Sequence, residues 1–167
     1  MSNTRTSASS RLSVSRSPVS LTAMVVGVAF ILVGIMGFIP GITTDYGSMA
    51  GAGHESMAML LGIFQVSILH NVLHLGLGVL GVLMARRPAT ARTYLLVGGV
   101  AYLALWVYGL VTSDTSAANF VPLNSADDWL HLVLGLGMVL LGLVMPRRTT
   151  HATAQGIHGS TAGGDVQ

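Results

Sequence analysis

Four polar residues, Ser67, His70, Asn71 and His74, recur at spacings i, i+3, i+4 and i+7 inside an otherwise apolar stretch. At about 100° per residue on an α-helix they fall within one arc of about 100°. A further histidine, His131, sits in a second apolar stretch. Two histidines on facing helices at one depth have the geometry for a bis-histidine haem, and adding His74 gives a nitrogen set for a metal ion. Imidazoles also change charge near neutral pH, so a proton relay is a third chemistry. The plainer reading is an interhelical hydrogen-bond network of Ser67, His70, Asn71, His74 and His131 that fixes helix register. That network is the leading expectation. No cofactor is then expected, with a haem at His70 and His131, or a metal at His70, His74 and His131, as the alternative.

Gly78, Gly81 and Ala85 continue the arc of His70 and His74. Small residues let a neighbouring backbone come close. His131, Gly135 and Gly142 share a matching arc. His70 precedes Arg86 by 16 residues and His131 precedes Arg147 by 16. Both then lie roughly 24 Å from the arginine ends of their helices. A weak internal repeat aligns His74-Leu75-Gly76-Leu77-Gly78 with His131-Leu132-Val133-Leu134-Gly135. The repeat pairs His131 with His74, whereas depth pairs it with His70; depth is taken as the guide to contact.

The elements that must hold these residues are apolar helices. Of 167 residues, 51% are hydrophobic and 8% charged, against roughly 25% charged in ordinary soluble domains. Leu21 to Ile39 is an uncharged stretch of 19 residues, enough for about 30 Å of hydrocarbon. Further spans are expected at 57–85, 94–112 and 127–145, giving an all-α, four-span bundle over 21–146. Residues 1–20, with eight Ser and Arg5, Arg11 and Arg16, and residues 147–167 read as disordered tails. The remaining Arg residues are Arg86, Arg87 and Arg92 in the middle turn and Arg147 and Arg148 after the last span, while five of the six acids fall in the opposite loops. The positive-inside rule then puts both termini in the cytoplasm of a plasma-membrane protein. Trp106, Tyr108, Phe120 and Trp129 near the outer ends fit an interfacial belt. Ala50-Gly51-Ala52 resembles a signal-peptide cleavage site, but it lies more than ten residues beyond a stretch longer than a usual signal core, so the first span is read as retained.

The remaining polar groups suggest local roles. Ser125 and Asp128 fit a capping box at the start of the fourth span, and Asp127 or Asp128 lies in reach of His131 on one helix face. Asp45, His54 and Glu55 share an outer loop and read as solvated rather than metal-binding. Gln65 faces away from the polar arc and has no role beyond contact with another helix. Glycines at 27, 34 and 41, and Gly98, Tyr102 and Gly109, mark packing seams. With no Cys, disulfides, cysteine–zinc and iron–sulfur sites and a cysteine nucleophile are excluded. There is no phosphate loop and no recognisable nucleophile–base pair, so an enzyme is not expected. The scattered arginines leave no footprint for nucleic acid. The expected partners are membrane lipid, a second copy, or another membrane protein.

Several segments together resemble a known family. They are Gly37-Phe38-Ile39-Pro40-Gly41, Gly53-His54, Leu61-Gly62-Ile63-Phe64-Gln65-Val66, Leu69-His70-Asn71-Val72-Leu73-His74-Leu75, Gly98-Gly99-Val100-Ala101-Tyr102-Leu103, Trp106-Val107-Tyr108-Gly109, Asn119-Phe120-Val121-Pro122-Leu123-Asn124 and Trp129-Leu130-His131-Leu132. The chain is similar over about two thirds of its length to the actinobacterial four-helix membrane proteins of domain-of-unknown-function family 4383. The resemblance implies an integral membrane protein and supplies no substrate or catalytic residue. Its motifs gather in the two outer loops and the histidine stripes, which is where a site is expected.

Overall fold

The computed structural model describes residues 17–112 and 115–146. The basic N-terminal tail through Arg16, Asp114, and the C-terminal segment with Arg147 and Arg148 lie outside the described residues. The protein is mostly helical. Its elements are α1 (Pro18–Met36), β1 (Thr43–Thr44), a 3-10 turn (Tyr46–Ser48), β2 (Met59–Leu60), β3 (Phe64–Gln65), α2 (Ile68–Met84), α3 (Pro88–Val111) and α4 (Ser125–Val144).

The helix starts follow from local chemistry. Ser17 caps α1, its hydroxyl accepting from the Ser20 backbone N–H at 3.3 Å, and Pro18 occupies the first turn. A proline there gives up a backbone N–H that has no helical partner anyway. The expected tail of residues 1–20 is therefore corrected at its end, because Pro18–Ser20 belong to α1. Pro88 plays the same part in α3, which starts six residues before the expected Tyr94.

The largest correction concerns the span expected at 57–85. Only Ile68–Met84 is helical. Residues 57–67 instead enter an antiparallel sheet of order β1-β2-β3, so the all-α expectation gives way to a helical protein with a small sheet. Leu61 and Gly62 both take positive φ, 55° and 71°, and turn β2 back onto β3 so that Leu60 pairs with Phe64. Ser67 then ends the strand segment and caps α2, accepting from the His70 N–H at 3.1 Å. A continuous apolar run does not distinguish buried strand from helix by its periodicity.

Three helices, α1, α3 and α4, are long and apolar enough to cross a membrane; α2 is apolar but has 17 residues. Their outward faces are apolar: Val25 and Leu32 on α1, Val97 and Val100 on α3, and Val133 and Leu140 on α4 are all more than half exposed. Polar residues such as Asn71 and His131 are buried instead. This inversion of the soluble pattern suits helices whose solvent is hydrocarbon.

The helices form two hairpins, α1 with α2 and α3 with α4, which meet chiefly along α1 and α3. Each hairpin closes on a glycine crossing. A Cβ on Gly78 would stand 2.7 Å from the Gly27 carbonyl oxygen, and one on Gly99 would stand 2.9 Å from that of Gly135. Gly76 and Gly137, by contrast, face open space. Replacing Gly78 or Gly99 by Ala is therefore expected to lower the melting temperature of the detergent-solubilised protein. Gly76→Ala and Gly137→Ala should hold it or raise it, since alanine is favoured over glycine in a helix by about 1 kcal/mol. Equal effects at all four positions would mean that the crossings are not close-packed.

Candidate functional site

The glycine crossings set the height of a polar cluster. On α2 and α4 a histidine stands four residues before the crossing glycine, His74 above Gly78 and His131 above Gly135. On α1 and α3 an aromatic stands three residues after it, Phe30 after Gly27 and Tyr102 after Gly99. The four rings meet. Phe30 and Tyr102 stack with centroids 5.3 Å apart. His74 meets the edge of Phe30 at 5.6 Å, and His131 meets Tyr102 at 5.1 Å.

His70 extends the cluster outward. Its ring is stacked on His74 at 4.4 Å with 7° between planes. His74 is fixed at both nitrogens: Nδ1 lies 3.1 Å from the His70 carbonyl oxygen and Nε2 lies 3.4 Å from the Tyr102 hydroxyl. His70 and His131 are only 5% and 4% exposed, yet Nδ1 of each has no hydrogen-bond partner. An unpaired buried polar group costs about 1–3 kcal/mol. Both rings border a cavity of ≈100 Å³, beside a smaller one of ≈50 Å³. The structure thus gathers His70, His74 and His131 around one space, with Tyr102 rather than a direct imidazole contact joining His74 to His131.

Ser67 and Asn71 take other places. Ser67 is a buried helix cap. Asn71 is fully buried against Gly37, with its amide Nδ2 3.9 Å from the Met49 sulfur. The rings and the cap are therefore grouped, but no single hydrogen-bond chain runs through all five residues.

The capping expectation is off by one residue. Asn124, not Ser125, caps α4: its Oδ1 accepts from Ala126 N and Asp127 N at 3.0 Å. Asp127, not Asp128, closes the box by accepting from Asn124 N at 3.2 Å. Asp127 Oδ2 also accepts from the Gln65 backbone N–H at 3.1 Å. The carboxylate ties α4 to β3, so it serves that junction instead of pairing with His131. Sequence reasoning placed Gln65 on a helix facing away; in β3 its side chain donates to the Ser56 and His54 carbonyls at 2.7 and 3.3 Å. Asn124 Nδ2 adds a bond to Ile63 O at 2.8 Å, and Gly53 N bonds Phe120 O at 2.7 Å. Tyr108 donates to the Ala118 carbonyl. The loop between α1 and α2 and the loop between α3 and α4 thereby form one folded cap at the histidine end of the helices.

Phe30, Tyr102 and Gln65 are the residues that sequence reasoning did not assign to the site, and Asp127 was expected there only as a partner of His131. Tyr102 had been noted only on a packing face, and its three-residue spacing from Gly99, matched by Phe30 and Gly27, is the signal that could have found both. In the first loop Asp45 and Glu55 are exposed and His54 half-buried. Among the described residues no three His, Cys, Asp or Glu side chains gather so as to hold a metal ion.

Residues 20–144 match the family described as "Domain of unknown function (DUF4383)". The chain belongs to the DUF4383 family. No curated protein and no solved structure matches it. The matched range covers the four helices from Ser20 onward, the histidine cluster and the cap just described.

Replacing Asn124 by Ala removes the α4 cap and should cost about 1 kcal/mol of stability. Ser125→Ala should leave stability unchanged. Unfolding of the purified variants in denaturing detergent compares the two; a larger loss at Ser125 would restore the earlier assignment.

Proposed function

We propose that this DUF4383 protein is a non-enzymatic, four-span plasma-membrane protein, with both termini cytoplasmic, that works through protein contacts at its outer cap. The observation that carries this reading is the cap itself. Residues 43–65 and 115–124 are bound to each other and to α4 through Asp127, Asn124 and Gly53. Yet Met57, Leu61, Ile63 and Phe120 on it are each more than half exposed. Apolar residues held out on a fixed, polar-bonded cap suit an interaction surface better than a loop free in water. The partner is another membrane protein or a second copy, with lipid around the helices. The arginine asymmetry supports the orientation.

The orphan nitrogens of His70 and His131 favour a second reading, a small ligand site. The cavity of ≈100 Å³ is well below the 300–1,000 Å³ of typical cofactor pockets, which favours a ligand smaller than a haem. A proton path across the membrane finds no support in the inner half either. After His74 and after His131 the two helices carry no polar side chain to their ends, and between Tyr102 and Tyr94 α3 carries none.

The natural absence of cysteine makes topology testable directly. Glu55→Cys is expected to react with a membrane-impermeant maleimide on intact cells, and Ala89→Cys only after the cells are opened. The reverse pattern, or equal labelling from outside, would overturn the orientation.

A further inference from the structure

The two hairpins agree in more detail than the histidine-centred repeat alone suggests. Gly27-Val28-Ala29-Phe30 of α1 and Gly99-Val100-Ala101-Tyr102 of α3 lie 72 positions apart. His74 and Gly78 of α2 lie 57 positions from His131 and Gly135 of α4. The contacts follow the same two offsets. A Cβ on Gly27 would meet Gly78 O and Val82 N, both at 2.8 Å; one on Gly99 would meet Gly135 O and Val139 N, both at 2.9 Å. Gly78 packs on Ile31 and Gly135 on Leu103, again 72 apart. Gly37 stands against the Asn71 side chain and Gly109 against that of Asp128, so closely that a Cβ on either would overlap it. The caps Ser67 and Asn124 are 57 apart as well. Leu/Gly-rich composition explains like residues, but it does not explain like contacts at two fixed offsets in separate helices.

The small cavities obey the same relation. Leu73 and Leu77 of α2 with Leu105 of α3 wall one; Leu130 and Leu134 of α4 with Val33 of α1 wall the other. His74, Tyr102 and His131 stand between them.

The equivalence breaks at two places. Tyr102 reaches across to His74 Nε2 with its hydroxyl; its counterpart Phe30 has no hydroxyl to offer His131. Asp127 takes the Gln65 N–H from the other hairpin. Its counterpart by offset is His70, and the counterpart of Gln65, 57 residues on, is Pro122, which has no N–H to give. His74 and Asp127 are satisfied by protein, while Nδ1 of His131 and Nδ1 of His70 have no hydrogen-bond partner.

We propose that the chain is a tandem duplication of one helical hairpin, and that water bridges Nδ1 of His131 and Nδ1 of His70 across the cavity that both buried rings border. Water is the occupant that suits the space. A single molecule needs about 30 Å³ and two to four polar partners, and a charged ligand would be costly among these apolar walls. The site is distinct from the cap surface and stands or falls separately from it.

The test is water-edited solid-state NMR on the full chain in lipid bilayers with 15N-labelled histidine. Polarisation from water should reach the ring nitrogens of His131 and His70 quickly and those of His74 slowly. Phe30→Tyr places a hydroxyl against Nε2 of His131, as Tyr102 does against Nε2 of His74, so transfer to that nitrogen should fall to the level of His74 Nε2. Tyr102→Phe removes the existing one, so transfer to His74 should rise to the level of His131. The Tyr102→Phe arm stands by itself if Phe30→Tyr does not fold. A wild-type His131 as slow as His74, or all three rings equally fast, would overturn the water site. A folded Phe30→Tyr variant with unchanged His131 transfer, or a Tyr102→Phe variant with unchanged His74 transfer, would overturn the equivalence of the hairpins.

Discussion

The close approach of backbones at two glycine crossings is the constraint on which the rest of this structure depends. Apolar helices gain nothing from one another by the hydrophobic effect when lipid is the alternative, so they hold together by packing and by polar contacts. Gly27 against Gly78 and Gly99 against Gly135 bring the helix axes close. Helix geometry then decides everything one turn above. At 1.5 Å per residue, the histidine four positions before the glycine of one helix meets the aromatic three positions after the glycine of its partner. The Phe30–Tyr102 stack joins the hairpins at that level, and the imidazoles flank it.

Burial of the polar residues follows from the same packing. A histidine, an asparagine or a carboxylate among apolar helices must find partners inside the protein. His74 and Asp127 do so, through Tyr102 and through Gln65 and Asn124. The cap is thereby connected to the helices at their ends rather than laid over them. Asp127 is the hinge of this arrangement, because one carboxylate oxygen caps α4 and holds the last strand of the sheet.

Much of this was legible in the sequence. Apolar length located α1, α3 and α4, and the i, i+3, i+4, i+7 arc picked out His70, Asn71 and His74, which share a buried or half-buried helix face. The short sheet was not legible. Met57 to Val66 is as apolar as a span, and only the left-handed backbone at Leu61 and Gly62 turns it into strands. The cap of α4 was misplaced by one residue because Asn124 and Ser125 are both good caps, and the choice falls to Asn124, whose amide also reaches Ile63. Reckoning depth from the arginines favoured His70 as the partner of His131, whereas the weak repeat favoured His74. Packing sides with the repeat: His74 and His131 hold like places against Phe30 and Tyr102, and His70 corresponds to Asp127. Depth counts residues along an axis, while contact depends on which face the glycines bring together.

Tyr102 stands between the imidazoles of the two hairpins. The most direct measurement of that placement is the set of ring-to-ring cross-peaks in solid-state NMR of the bilayer-embedded protein carrying labelled tyrosine and histidine. The structure requires Tyr102 to show close contacts to both His74 and His131, at 3.4 Å from hydroxyl to Nε2 and 5.1 Å between ring centroids. A Tyr102 ring that contacts neither histidine, or only one, would contradict it.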